Sequence, residues 1–383
     1  MRALVSIPFV LVIFTGCSAA DVSTADVVRT DSAGVRLITS GARDTALAWT
    51  FEEIDVFRDS LGEPWLFNGI FTNQVLTDRA GRTYVLTRDP AIVRFGREGR
   101  YERTLGRKGG GPGEFEFPVS IGSMGDTIYA TDAGKRALVR FGPRLDPVAD
   151  RRLDGALASA EALAFRTGGL WFRKSERSDS AMSAAVYADT LGGAALQRIS
   201  IRTGAPVSFG CTGLPAAAPL FSPQLLMTAR GPRLLVNAQP AYELWLYEGP
   251  RAIASIRRPL APRVPTEADV RALYPKGLTI GSSGARADCV VPVEEMIAKQ
   301  GVARQLPLVN DLLLLSDGSM WVQRTPQIVS PGVVDVFGSD GAYLGTVTGM
   351  RLPLALLPNG ELLVPREDAT RRGVVIARVK VRR

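Results

Sequence analysis

The chain repeats one strand grammar at intervals of about 44 residues, and this period restricts its fold more than any other feature. Glycine-bearing turns mark it: Asp78–Gly81, Ser123–Asp126, Arg166–Gly169, Arg230–Pro232, Ser316–Gly318 and Pro358–Gly360. With Gly168 taken for the third turn, successive glycines stand 44, 43, 63, 87 and 42 residues apart. Tyr84 and Tyr129 are 45 apart and Phe95 and Phe141 are 46 apart, each on a short apolar run. A unit of that length built from four short strands is a propeller blade. Six turns predict an all-β, six-bladed β-propeller of four-stranded antiparallel blades.

Second hairpins at Gly96–Gly99, Tyr247–Pro250 and Gly338–Gly341 join third strands to fourth. The last unit is one strand short after Val374–Val379, while Val35–Ile38 is left unused near the other end. A propeller closes to hide its edges, so this N-terminal strand is expected to complete the last sheet. The two long intervals place insertions at about 203–220 and 258–306. The first carries Cys211 and several prolines and reads as a loop. The second predicts two short helices, one capped by Thr266 with Asp269 three residues on, the other over 293–299 between Pro292 and Gly301. Such helices are expected to cover a face or one mouth of the central channel.

Residues 105–118 contain a run of glycines that invites comparison with a phosphate cradle. That loop needs Gly-Lys-Ser/Thr after its glycines, whereas Lys108 precedes them, and no helical periodicity follows. The stretch reads instead as a connection between blades, with Phe115 or Phe117 sealing the seam.

The opening residues place Arg2 before an apolar run, Leu4–Phe14, and then Thr15-Gly16-Cys17. This is the pattern of an export signal, too short to span a bilayer as a stable helix. Thr15-Gly16 before Cys17 resembles the lipobox of bacterial lipoproteins, with Phe14 where leucine is usual. The resemblance implies a signal peptide over 1–16 and a lipidated Cys17; the small, polar residues that follow read as a tether over 17–30, and the repeats place the propeller over 31–383. It places the protein in the bacterial cell envelope, lipid-anchored and facing the periplasm or the exterior. In that oxidising setting Cys211 and Cys289, one in each insertion, are expected to pair as a disulfide.

No histidine occurs in the 383 residues. That removes the commonest general base, the His-dependent nucleophile arrangements and most zinc sites. Chemistry here would rest on Asp, Glu, Lys, Tyr, Arg or an oxygen-ligated metal. The net charge of +8 is scattered over short tracts such as Arg151-Arg152, Arg257-Arg258 and the tail 378–383. Without aromatic interleaving, and in an exported chain, it does not point to nucleic acid.

Leu105–Phe115 resembles the Gly-Glu-Phe segment of NHL-repeat and related TolB-like propellers. Ile128–Asp132 followed by Arg136–Phe141 resembles their strand–Asp–Arg–strand continuation. The preceding unit has Pro90 where the arginine would stand. The layout is similar to exported six-bladed propeller lipoproteins of unassigned function. Proteins of this architecture include binding modules, sensors, lyases, lactone-cleaving hydrolases and quinoprotein dehydrogenases. The lactonase and dehydrogenase types rely on calcium, and several use histidines that this chain lacks. Fold alone does not choose among them.

The resemblance makes Asp132 and Arg136 candidates for a polar site on one face; capping the turn after the strand accounts for them equally. Asp78, Asp126, Asp317 and Glu361 lie at first-hairpin turns, and no Asp-x-Asp-x-Asp-Gly loop occurs. A channel calcium held by carboxylates from separate blades is the one cofactor left open. Trp171, Trp245 and Trp321 fall on central strands and are assigned to packing, Trp65 to the surface, and Glu295 to an i,i+4 pair with Lys299. The expected role is a monomeric, membrane-tethered binding module for a peptide, glycan or protein partner. The alternatives are a calcium-assisted lyase or hydrolase using channel carboxylates, and an extracytoplasmic sensor acting with a membrane partner through an apolar patch near the insertion helices.

Overall fold

The computed structural model describes residues 27–382 except 68, 71, 154–161, 167–168, 179–180, 190–195, 203–206, 210–214, 217–218, 239–240, 250, 281–288 and 326–331. Within 162–202 and 215–216, and at 72 and 280, it describes the backbone alone. In chain order, β1 (Val28–Ser32), β2 (Val35–Thr39) and β3 (Thr50–Val56) come first. The next sheet holds β4 (Val75–Thr77), β5 (Thr83–Thr87), β6 (Ala91–Phe95) and β7 (Tyr101–Leu105). It is followed by β8 (Pro118–Met124), β9 (Thr127–Asp132), β10 (Ala137–Phe141) and β11 (Pro147–Arg152). Then come β12 (Ala162–Arg166), β13 (Gly169–Ser178), β14 (Ala181–Asp189) and β15 (Leu196–Arg202). A short pair, β16 (Val207–Ser208) and β17 (Pro215–Ala216), precedes β18 (Leu226–Arg230), β19 (Arg233–Asn237), β20 (Glu243–Glu248) and β21 (Arg251–Arg257). The second insertion holds α1 (Glu267–Leu273), β22 (Leu278–Ile280), β23 (Cys289–Val291) and α2 (Val293–Gln300). After it run β24 (Val309–Leu314), β25 (Met320–Arg324), β26 (Val333–Phe337) and β27 (Tyr343–Thr348), then β28 (Ala355–Leu356), β29 (Leu362–Asp368) and β30 (Gly373–Arg382).

The turn count predicts six four-stranded antiparallel blades, and the structure corrects it. Five sheets are four-stranded antiparallel blades; the sheet of β18–β21 is instead six-stranded and mixed, because β1 and β2 add to it. The same finding corrects the likeness to six-bladed lipoproteins. β2 lies parallel to β21, pairing Arg36 with Ala254 and Thr39 with Arg257. The reason is a hydrophobic slot: Ile38 is 1% exposed and packs with Ile256, Leu244 and Phe337. Completion of the last blade falls to β3, which pairs antiparallel with β30. Closure by an N-terminal strand is therefore present, with Thr50–Val56 in the role predicted for Val35–Ile38. β1 also occupies 28–30, the last residues of the predicted tether.

The first strands of neighbouring sheets lie side by side around a channel: β4 beside β8, β8 beside β12, β12 beside β18, β18 beside β24, and β28 beside β4. Cores fill the seams. Phe115, Phe141, Leu86 and Ile128 join the sheets of β4–β7 and β8–β11, and Phe57, Phe95, Leu363 and Ile376 join the last blade to that of β4–β7. β5 is buried on both faces, whereas β7, the outer strand of the same sheet, is buried only at Leu105. Gly81, Gly125, Gly231, Gly318 and Gly360 of the first hairpins all have positive φ; Gly168 lies outside the described residues. In the connection between blades Gly106 has φ +72, and a Cβ there would lie 2.7 Å from the Gly113 carbonyl oxygen, so glycine is required.

The insertions build a small core of their own from Phe209, Leu220, Val270, Val291 and Met296. β16 pairs with β17, so the first insertion is more than a loop. Thr266 caps α1 with a capping box: Asp269 Oδ2 accepts the Thr266 N–H at 2.7 Å while Thr266 Oγ1 accepts the Asp269 N–H at 3.4 Å. α2 runs between Pro292 and Gly301, with Glu295 2.9 Å from Lys299. Trp321 is buried and Trp245 half-buried. Trp65, expected at the surface, instead stacks on Tyr101 at 5.5 Å and meets Phe95 edge-on at 5.4 Å. No helix among the described residues is long and apolar enough to cross a membrane.

Candidate functional site

The inner strands β4, β8, β18 and β24 all run toward one end of the channel and turn there through their first hairpins. Those turns, with Pro143–Leu145 between β10 and β11, frame a mouth of about 1240 Å³. Its walls mix apolar side chains of the inner strands, among them Leu76, Ile121, Met124 and Met227, with charged ones from the turns. Nothing lies within 4 Å of where a Cβ would stand on Gly125 or Gly231, so the rim is open at both turns.

Six arginines and three aspartates line this space among the described residues. Some are balanced. Arg82 Nε donates to Asp78 Oδ2 at 2.7 Å, and Asp78 also accepts the N–H groups of Ala80 and Arg82, each at 2.9 Å. Arg94 faces Glu102 at 2.7 Å. Tyr84 is 3% exposed, and burial pushes its phenol above the usual range. Asp317 accepts from the backbone and hydroxyl of Ser319 at 2.9 and 2.6 Å.

Arg230, the last residue of β18, is different. Its Nη2 donates to Thr77 Oγ1 at 3.0 Å, and no carboxylate among the described residues forms an ion pair with it. Burial alone pulls its guanidinium down from the usual arginine range. A guanidinium stays protonated in any case, so the shift reflects desolvation that no charge among the described residues offsets. Arg233, across the Gly231 turn, and Arg79 likewise line the mouth without a carboxylate partner among the described residues.

Of the acidic residues weighed from sequence, Asp78, Asp126 and Asp317 line the mouth, whereas the nominated pair Asp132 and Arg136 lies elsewhere. β9 starts at the mouth and ends at the opposite face, which carries Asp132 and Arg136. Asp132 is 0% exposed and accepts three backbone N–H groups: Glu116 at 2.7 Å, Phe117 at 3.0 Å and Lys135 at 2.9 Å. Arg136 has φ +50, and its carbonyl accepts the Leu153 N–H at 2.8 Å. The charged contact there belongs to Lys135, whose Nζ reaches Gly111 O at 2.8 Å, Glu114 O at 3.1 Å and the Asp150 carboxylate. This group organises the connection over 105–118. Glu114 accepts from Gly111 N–H and Arg107 Nε, each at 2.8 Å, which holds its carboxyl below the usual range. The chain's own carboxylates thus engage amides that a phosphate cradle would present.

Cys17 and Cys211 lie outside the described residues, and Cys289 is disulfide-bonded. Glu361 pairs with Arg378 at 2.7 Å. No group of three or more His, Cys, Asp or Glu side chains placed to hold a metal occurs among the described residues. On the insertion, Val264, Leu273 and Val290 are exposed. The arginines of the mouth were legible only as turn sequence, Arg230-Gly231-Pro232-Arg233; the available signal was their position at the end of an inner strand.

No family model matches the sequence, and no curated protein matches it. Among solved structures the fold is similar to a Bacteroides fragilis protein whose name calls it exported. That likeness has 9% identity and a TM-score of 0.54 over 91% of this chain and 100% of the other. A member of the DUF4221 family from Bacteroides vulgatus is similar at 8% identity, with a TM-score of 0.51 over 89% and 98%. At such identities the likeness shows the fold alone.

Proposed function

We propose that this protein is an extracytoplasmic binding module that receives a segment of its ligand at the channel mouth. The observation that carries the reading is the mouth itself: an open space of about 1240 Å³, framed by turns of several sheets, with apolar walls and charged rim groups. Small-molecule sites span roughly 300–1,000 Å³ and combine apolar walls with a few polar groups, so this space suits a ligand segment. The ring holds the strands rigid while the turns supply the contacts. Export and attachment through Cys17 are part of this proposal and rest on the leader sequence. A calcium-assisted lyase or hydrolase finds less support, since Asp78 is engaged by Arg82 and its own turn.

Ser123 is exposed on the rim, so Ser123→Trp narrows the mouth without disturbing the seams. The protein lacking residues 1–16, with Cys17→Ser, is screened on arrays of peptides and glycans beside the Ser123→Trp variant. Binding by the parent that the variant loses at unchanged melting temperature is the expected result. Ligands that bind both proteins equally would move the site away from the channel.

A further inference from the structure

We infer that the group seated in the mouth is a carboxylate on an acidic peptide segment with apolar flanking side chains, and that Arg230 anchors it. This rests on the channel being the binding site.

Three features identify the occupant. Arg230 is a half-buried cation whose one side-chain hydrogen bond among the described residues goes to Thr77 Oγ1, at 3.0 Å. Its forked guanidinium therefore has donors left, in a place partly withdrawn from water, where a carboxylate accepts two of them side by side. Arg233 and Arg79 add two more cations at the rim without carboxylate partners among the described residues. Asp126 and Asp317 line the same space without a cationic partner among the described residues, so three such arginines against two such aspartates leave a net positive cleft, an arrangement that attracts anions.

The walls favour peptide over sugar. Met124 and Met227, half-buried, give the space its accessible apolar surface, backed by the buried Leu76, Ile121 and Leu354, and methionine adapts to irregular apolar side chains. The one aromatic residue lining it, among the described residues, is Tyr84, whose ring is 3% exposed. An acidic glycan would find the charge but no ring face to stack on. An acidic peptide finds both the charge and the apolar walls.

Arg230 also carries a signature that a structural arginine does not. No carboxylate among the described residues compensates its burial in the free protein, so replacing it is expected to remove that cost. Arg230→Met is expected to hold or raise the melting temperature while abolishing the preference for the acidic peptide, the pattern of a residue kept for function at the expense of stability. An arginine that served packing alone would lower it.

The test titrates the protein lacking residues 1–16 (Cys17→Ser) with three probes: blocked Leu-Glu-Leu-Glu-Leu, its Leu-Gln-Leu-Gln-Leu analogue, and oligogalacturonate. The acidic peptide should bind at least about tenfold more tightly than its amide analogue, as charge-assisted hydrogen bonds predict, and weaken with added salt. Arg230→Met should erase that difference and leave the weak binding of the glutamine peptide unchanged. Equal binding of both peptides, insensitive to Arg230→Met but lost in Ser123→Trp, overturns the carboxylate assignment and leaves the channel as the binding site. Binding of oligogalacturonate alone overturns the peptide assignment. Binding of no probe overturns this inference, whereas failure of the channel reading would appear as array ligands indifferent to Ser123→Trp. A fall in melting temperature of Arg230→Met, with the peptide difference retained, assigns Arg230 to packing.

Discussion

Arg258 and Asp335 are each 0% exposed at the side chain and meet at 3.0 Å, in the seam between the mixed sheet and the sheet of β24–β27. Burying such a pair is tolerable only when the remaining donors and acceptors are satisfied, and here they are. Arg324 donates twice to Asp335, at 2.8 and 2.7 Å, Thr346 Oγ1 donates at 2.7 Å, and the Tyr343 ring lies 3.8 Å from the Arg258 guanidinium carbon. Arg258 also holds the chain at Gly41, Ala42 and Arg43 through their carbonyls. Asp44 completes the cluster from its exposed side, 48% accessible, accepting from Arg324 and Arg258. Hydrogen bonding from Arg324, more than any other cause, holds the Asp44 carboxyl below its usual range. A carboxyl lowered on folding contributes stability that is fully present above the unfolded pKa of about 3.9 and lost as pH falls through the folded value. Asp44→Asn should therefore melt slightly below the parent at pH 7, on the order of 1–2 °C given the exposure. The gap should hold down to about pH 5 and close progressively below pH 4. Melting curves of the two proteins from pH 2.5 to 8 check this; a gap independent of pH would mean that Asp44 acts by shape alone.

At the level of elements, β2 shows how a short strand finds its place. Val35–Thr39 has the burial pattern of a strand with one deep anchor, and that anchor is Ile38. It enters the core with Ile256, Leu244, Met320 and Phe337, while Gly341, at φ +86, leaves room that a Cβ would take from Ile38 and Ile256. Ile38→Ala should cost about 2–5 kcal/mol, the range for deleting a branched side chain from a packed site. Urea unfolding at constant slope measures it, and a loss under 1 kcal/mol would mean that β2 is dispensable to the core. This strand also marks where reading from sequence stops. The blades were legible because hairpin glycines and alternating apolar residues are local signals, and Gly81, Gly125, Gly318 and Gly360 turn where their spacing placed them. That Thr50–Val56 closes the ring, and not Val35–Ile38, depends on pairing across more than 200 residues, with β30 for one and β21 for the other. Both candidates carry strand composition, and nothing local separates them. The channel site was hidden for the same reason: Thr77 and Arg230 meet across 153 residues, and only the closed ring brings them together.

At the scale of the whole molecule, residues 27–58 run along the outer edges of successive sheets and lace them together. β2 pairs with β21, the bridge of Ala46 with Thr346 ties the next segment to β27, and β3 pairs with β30. The backbone of Arg58 then reaches across to the sheet of β4–β7, accepting from Tyr101 N–H at 2.9 Å and donating to Gly99 O at 2.9 Å. Phe57 anchors that crossing against Phe95, with ring centroids 4.7 Å apart. One stretch of chain thus covers strand edges that would otherwise stand open, and open edges pair with other chains. β1, all five of its residues exposed, is the outermost layer of this lacing and contributes little to the core. Deleting 27–33 should therefore leave elution and melting close to those of the parent. Deleting 27–57 removes β2, β3, Ile38 and Phe57 and uncovers the edges of β21 and β30. Size-exclusion chromatography with light scattering should then find oligomers or aggregate in place of the parent species, with loss of a cooperative melt. If the longer deletion keeps the parent's mass and transition, the ring is held by its seams alone and the outer lacing is ornamental to stability.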